Sequence, residues 1–264
     1  MSPGGRARRL RHDGVELDVE EHPAAAGAPA VLVLPGGGFR EHTEHDGTGY
    51  ARWLHGLGLG AVVLRHRLRP DPFPLALQQA RAALDALRRG LLLPGVDPDR
   101  VGVVGSSAGG LLAGLLATGA VLSVEPARGA PPRPAFHVQS YGLADLGLLP
   151  PAAVQALLGE RLDLAGELSP VHHVDGDVPP TFVWATAQDG PGLPNALAWA
   201  RALAEHAVPV ELHVYPEGRH GVGLADGVRW GAHGDLALPH TAQWTGACRR
   251  WLELIGVLRG GGPA

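Results

Sequence analysis

Continuous apolar runs and amphipathic stretches alternate along almost the whole of this chain. Residues 30–34 (AVLVL), 60–64 (GAVVL) and 101–104 (VGVV) are short unbroken apolar runs, and residues 181–187 (TFVWATA) are apolar but for two threonines. Such runs predict strands covered on both faces. Residues 135–141 and 210–215 read as two further strands. Residues 14–20 alternate instead, with Val15, Leu17 and Val19 apolar, and predict a half-buried strand at a sheet edge. Between the runs lie helical patterns at 48–57, 75–89, 195–206 and 241–254, with a short helix at 151–158 in a Pro- and Leu-rich insertion. In the second of these, Leu77, Ala80, Leu84 and Leu87 share one face. Strands alternating with helices at this spacing predict a mostly parallel sheet with helices on both faces. There is no internal repeat and no linker. We therefore expect one α/β domain over 1–264, with 1–13 and 259–264 as frayed ends.

Composition narrows the picture. The chain has 264 residues, 45% of them hydrophobic and 18% charged, enough to bury a full core. The net charge of −4 carries no nucleic-acid footprint. All 22 basic residues are arginine, and the start bearing Arg6, Arg8, Arg9 and Arg11 reads as a solvated arm. No apolar stretch follows it as in a secretory signal, and no run is long enough to span a membrane. A single cysteine, Cys248, leaves no internal disulfide, so a cytoplasmic location is expected.

The chemistry centres on VGVVGSSAGGLL, residues 101–112. A strand, the pattern G-x-S-x-G and a helix of small residues form a nucleophile elbow. The turn is too tight for side chains at Gly105 and Gly109, and it pushes the hydroxyl of Ser107 out above the sheet. The bland reading is a glycine-rich phosphate cradle, but the P-loop lysine and the dinucleotide-fingerprint spacing are both missing. Ser107 is the candidate nucleophile.

A serine needs a base, and the base needs an orienting acid. Asp189 stands directly after the strand TFVWATA, and His220 lies in a glycine-flanked loop after VELHVY. Both therefore sit at carboxyl ends of strands, in the order serine, acid, histidine. An isolated Asp at a strand end is a turn or helix cap more often than a catalyst. The coincidence of three ordered positions favours the catalytic reading, with Asp145 as the reserve acid. His42 to His45 (HTEH) and the pair His172–His173 lack the spacing of zinc hydrolases and read as structural; no metal and no cofactor is expected. After the strand at 30–34 comes Pro35-Gly36-Gly37-Gly38-Phe39, a loop whose bare N–H groups can approach a substrate oxygen.

The chain resembles the small α/β-hydrolases that act as acetyl esterases, acetylxylan esterases and xylanase-associated esterases. The matching stretches are LPGGGF, AVVLRHRL, DPDRVGVVGSSAGG, the block SPVHHV…PPTFVWATAQD, the helix from Asn195 and YPEGRHGVGLAD. They extend over nearly all of residues 30–254. The resemblance implies the α/β-hydrolase fold and a carboxylic ester hydrolase with Ser107, Asp189 and His220 as its triad. It further implies an oxyanion hole formed by the N–H groups of Gly37, Gly38 and Ala108. Two positions depart from relatives of the hormone-sensitive lipase type: Pro35 stands where they carry His, and His66 where an aromatic Tyr is common.

The expected function is hydrolysis of small acyl esters, with acetylated carbohydrates among the substrates. Two alternatives stand beside it: an arylformamidase-like amide hydrolase, and a ligand-binding module on a hydrolase fold, which would be expected to have lost a triad member. The expected partner is a small-molecule ester, with no nucleic acid and no membrane; the oligomeric state stays open. The segment between Tyr141 and Thr181 is the only sizeable insertion. Much of it is expected to form the ordinary crossover helix, leaving at most a partial lid. With aromatic residues at 5%, little remains to line a long acyl tunnel.

Overall fold

The structure, a computed structural model, describes residues 5–70, 72–125, 131–231 and 236–258. Eight strands form one sheet: β1 (Arg6–His12), β2 (Val15–His22), β3 (Ala30–Leu34), β4 (Gly60–Leu64), β5 (Val101–Ser106), β6 (His137–Ser140), β7 (Thr181–Thr186) and β8 (Val210–Tyr215). Their spatial order is β1-β2-β4-β3-β5-β6-β7-β8. The strands from β4 to β8 pair in parallel, whereas β2 runs antiparallel to both of its neighbours.

Helices α1 (Thr48–Gly56), α2 (Leu75–Arg88), α3 (Ala108–Thr118), α5 (Gly192–Glu205) and α6 (Trp244–Leu254) cover the two faces. Side chains alternate across a strand, so β3 divides its apolar residues between two cores. Leu32 and Leu34 pack with α2 and α3, while Val31 and Val33 pack with α1 and α6. β7 does the same. Val183 and Ala185 meet Trp199 and Leu203 of α5, and on the opposite face Trp184 stacks on Trp244 of α6, with ring centroids 4.7 Å apart. The alternation expected of a doubly covered sheet is what the structure has.

Three expectations are corrected. Residues 6–12, read as a frayed and solvated arm, form β1, and β2 is therefore not the sheet edge. The cause is Asp13-Gly14, a two-residue hairpin turn with both φ angles positive (49° and 79°), which pairs His12 with Val15 and runs the strand back to Arg6 opposite Glu21. The arginines form ion pairs across the ladder: Arg9 with Asp18 directly opposite at 3.0 Å, and Arg8 diagonally with Glu21 at 3.1 Å. Charged side chains on an outermost strand also discourage edge-to-edge association. The end at 259–264 lies outside the described residues.

The third correction concerns the insertion. Among the described residues, no crossover helix packs on the sheet between β6 and β7; a 3-10 turn, Pro170–His173, takes that place against α3 and α5. The helix α4 (Pro151–Leu158) stands over the carboxyl ends of the strands instead. Its segment is closed at the neck: Leu146 N–H donates to Ser169 Oγ at 3.0 Å, and Val171 N–H donates to the carbonyl of Ala144 at 3.1 Å. Arg69 donates to the carbonyl of Ala156 and ties the far end of α4 to the loop after β4. Among the described residues no helix is long and apolar enough to cross a membrane.

Candidate active site

Ser107 sits between β5 and α3 with φ 52° and ψ −121°, a left-handed conformation costly for any residue bearing a Cβ. Its neighbours allow it. A Cβ on Gly105 would stand 2.4 Å from the carbonyl oxygen of Gly109, and one on Gly109 would stand 2.1 Å from that of Leu34. Both glycines are thus required by backbone-to-backbone approach, as the elbow reading expects.

Ser107 Oγ lies 2.7 Å from His220 Nε2, and His220 Nδ1 lies 2.9 Å from both carboxylate oxygens of Asp189. A carboxylate against Nδ1 keeps the ring proton there and leaves the Nε2 lone pair to accept from the serine hydroxyl. Asp189 is 2% exposed, and Oδ1 also accepts from the N–H of Gly192, the first residue of α5, at 2.6 Å. The carboxylate that faces the histidine therefore also receives the first N–H of α5. A Cβ on Gly192 would lie 2.2 Å from Asp189 Oδ2, so this helix must start on a glycine.

The loop carrying His220 is held at its start. Gly218 N–H donates to Gln188 Oε1 at 3.1 Å, and Thr186 Oγ1 donates to the Gly218 carbonyl. Asp145, the reserve acid, faces elsewhere: its Oδ1 accepts from Gly147 N–H at 2.8 Å and caps a 3-10 turn.

The glycine loop after β3 borders the same cavity. Gly37 (φ 113°) and Gly38 (φ 61°) both adopt left-handed conformations. A Cβ on Gly37 would meet the Glu41 carbonyl oxygen at 2.2 Å; one on Gly38 would meet nothing within 4 Å. Ala108 opens α3, and its N–H, like every first-turn donor, has no intrahelical acceptor. Gly37, Gly38, Ser107 and His220 line a cavity of about 530 Å³. Leu149, Ala153, Ala156 and Leu157, on and before α4, give it an apolar wall.

Of the other histidines singled out in the sequence, His45 lines the cavity, its Nε2 3.8 Å from Asp46 Oδ2, while His42, His172 and His173 serve the frame. His42 Nε2 donates to the His66 carbonyl at 2.9 Å, and burial, with His66 beside it, lowers its pKa to about 4. His172 and His173 bond to the carbonyls of Gly166 and Glu167 at 3.1 and 2.7 Å. Among the described residues, the cluster able to offer three metal-type donors is His12, Asp13 and Asp85, at the hairpin far from Ser107 in the sheet order, and Asp85 there is paired with Arg89. Sequence reading missed Gly192, Gln188, Thr186 and a buried carboxylate, Asp46, that also lines the cavity. Only the EHD of residues 44–46, close after the glycine loop, hinted at the last.

A serine on the sharp turn after a central parallel strand, within hydrogen-bond reach of a histidine, defines the class of a serine hydrolase on an α/β scaffold. The family model described as the alpha/beta hydrolase fold matches residues 31–224. The esterase LipI of Mycobacterium tuberculosis is 31% identical, over 77% of this chain and 68% of its own length. An acetylxylan esterase of Xylanibacter ruminicola is 23% identical over 89% of this chain, which spans 49% of that relative. The crystal structure of an acetyl ester-xyloside bifunctional hydrolase from Caldicellulosiruptor lactoaceticus superposes with a TM-score of 0.78 at 32% identity, covering 92% of this chain and 89% of that one. The chain belongs to the α/β hydrolase fold family, within its serine ester hydrolases.

Proposed function

We propose that the protein hydrolyses esters of small acyl groups, acetyl above all, with Ser107 as nucleophile, His220 as base and then acid, and Asp189 as the group that orients and charge-balances the imidazole. The observation that carries this reading is the unbroken hydrogen-bond path from Ser107 Oγ through both ring nitrogens of His220 to Asp189. Ser107 attacks the ester carbonyl carbon as His220 Nε2 takes its proton. The carbonyl oxygen becomes an oxyanion, received by the N–H groups of Gly37, Gly38 and Ala108. His220 returns the proton to the departing alcohol, leaving an acyl-serine. A water deprotonated by His220 then cleaves that intermediate and restores the hydroxyl.

Acetylated carbohydrates are the proposed natural class. The names of the acetylxylan esterase and the acetyl ester-xyloside hydrolase support it, as do the polar residues Arg40, Glu41 and Thr43 that line the cavity together with the apolar α4 wall. The test is a hydrolysis panel of acetylated xylosides, aryl acetates and N-formyl amides, run with the protein and with Ser107→Ala. Ester turnover abolished by that substitution is expected. Activity confined to N-formyl amides would replace the reading with the amide hydrolase, and no Ser107-dependent turnover on any of them would leave a binding module.

A further inference from the structure

Beside the nucleophile lies a buried polar chain with no part in the steps just described. Asp46, 2% exposed, follows the glycine loop, and its Oδ1 accepts from Thr43 Oγ1 of that loop. Its Oδ2 accepts from the hydroxyl of Tyr141 at 3.2 Å. The Tyr141 oxygen in turn accepts from the N–H of Gly223 at 3.1 Å, three residues beyond His220. Tyr50 of α1 stands 3.5 Å behind Tyr141, and 2.7 Å from Ser140 Oγ. A backbone N–H only donates, and it fixes the direction of the chain: the Tyr141 oxygen accepts from Gly223 and Tyr50, and its one proton goes to Asp46.

The placement is close to the reacting groups. A Cβ built on Gly36 would sit 3.1 Å from both Asp46 Oδ2 and the Cβ of Ser107, so one glycine separates the carboxylate from the nucleophile. The Tyr141 ring meets the His220 ring edge-on, with centroids 5.4 Å apart. Tyr141 itself holds φ 36°, a conformation that tyrosine adopts only where its surroundings impose it. Burial pushes its hydroxyl pKa well up, which keeps the proton available for Asp46.

We infer that Asp46 and Tyr141 are positioning residues that lace the glycine loop to the His220 loop and so set base and oxyanion donors relative to Ser107. The inference rests on the hydrolytic reading above. Thr43 and Asp46 belong to the loop after β3, Gly223 to the loop that carries His220, and the Tyr141 hydroxyl is the link between them. Neither residue need touch the substrate; both act by keeping two loops in register, where a misplacement of about 1 Å costs on the order of 100-fold in rate.

The test is steady-state hydrolysis of p-nitrophenyl acetate by the full chain carrying Tyr141→Phe, Asp46→Ala or Asp46→Asn, with Ser107→Ala as reference. Tyr141→Phe keeps the ring against His220 and removes only the link; kcat is expected to fall about 10- to 100-fold with KM within about two-fold. Asp46→Ala should do the same, and Asp46→Asn, whose amide oxygen still accepts from Tyr141, should recover most of the loss. Should Tyr141→Phe fail to fold, the Ala and Asn variants of Asp46 decide. A wild-type kcat in Tyr141→Phe, or in Asp46→Ala, overturns the inference, as does a rise in KM alone or an Asn variant no better than the Ala one. Activity surviving in Ser107→Ala would instead strike the hydrolytic reading itself.

Discussion

Ser107 can lose its hydroxyl without losing its backbone, because alanine at φ 52° carries the same Cβ as serine. Ser107→Ala is thus expected to abolish ester turnover and to leave the melting temperature within a few degrees, as read by calorimetry. Asp189→Asn is expected to lower kcat about 10⁴-fold, through the wrong imidazole tautomer. Its amide oxygen can still accept from Gly192, so stability should change little; a variant of near-normal rate would mean that the acid lies elsewhere. The two loop glycines should behave differently. Gly37→Ala drives a Cβ into the Glu41 carbonyl and is expected to cost about 10²–10³ in kcat by displacing an oxyanion donor. Gly38→Ala meets open space and has only its left-handed backbone to strain, so its loss should be the smaller. Equal losses would assign the effect to backbone strain alone.

At the scale of elements, sequence reading went furthest where the pattern is local. The strands β3, β4, β5 and β7 and the elbow were legible because buried parallel strands write themselves as apolar runs and because Gly105, Ser107 and Gly109 leave one geometry open. The N-terminal strand was misread because the arginines outweighed Asp13-Gly14, although Leu10 lies opposite Leu17 in the ladder. The role of α4 was hidden for another reason: nothing in an eight-residue apolar helix says whether it covers a sheet or a cavity. The links through Gln188 and Tyr141 join residues distant in sequence, and no local spacing announces them. Two outcomes follow. Gly14→Val should destabilise the fold by about 1 kcal/mol, measured by urea denaturation, with kcat unchanged, since the hairpin is remote from Ser107. Ala156→Phe should fill part of the apolar wall and lower kcat/KM for butyrate more than for acetate.

For the whole molecule, the buried titratable groups predict how stability follows pH. Burial lowers His137 to about 3 and His42 to about 4. In the unfolded chain such groups take up protons near pH 6.5, which the folded chain refuses, so stability is expected to fall as pH drops below that value. Glu20 adds a second stage. Burial opposes its charge, yet hydrogen bonds from His22 and Thr48 and the charges of His22 and Arg65 prevail and hold it at about 2. Its contribution is complete above the ordinary carboxylate range and is lost as pH falls toward 2. A melting temperature unchanged between pH 7 and 4 would contradict the histidine assignments, and one unchanged between pH 4 and 2 that of Glu20; His137→Asn should flatten the upper part of the curve. The cavity makes a further demand on substrates. With an apolar wall built on so short a helix as α4, the kcat/KM of p-nitrophenyl esters from two to twelve carbons is expected to peak at acetate or propionate. A maximum at eight carbons or beyond would mean an acyl groove, each methylene of which contributes up to about 0.8 kcal/mol.

The neck formed by Ala144, Leu146, Ser169 and Val171 makes the segment that bears α4 an exchangeable module. Ser107, Asp189 and His220 are all carried outside it, on loops anchored in the sheet. Evolution can thus rewrite which acyl groups enter by replacing one cassette, without re-registering a strand or retuning the catalyst. A designer could graft the corresponding segment of a relative through the same neck and change selectivity in a single step.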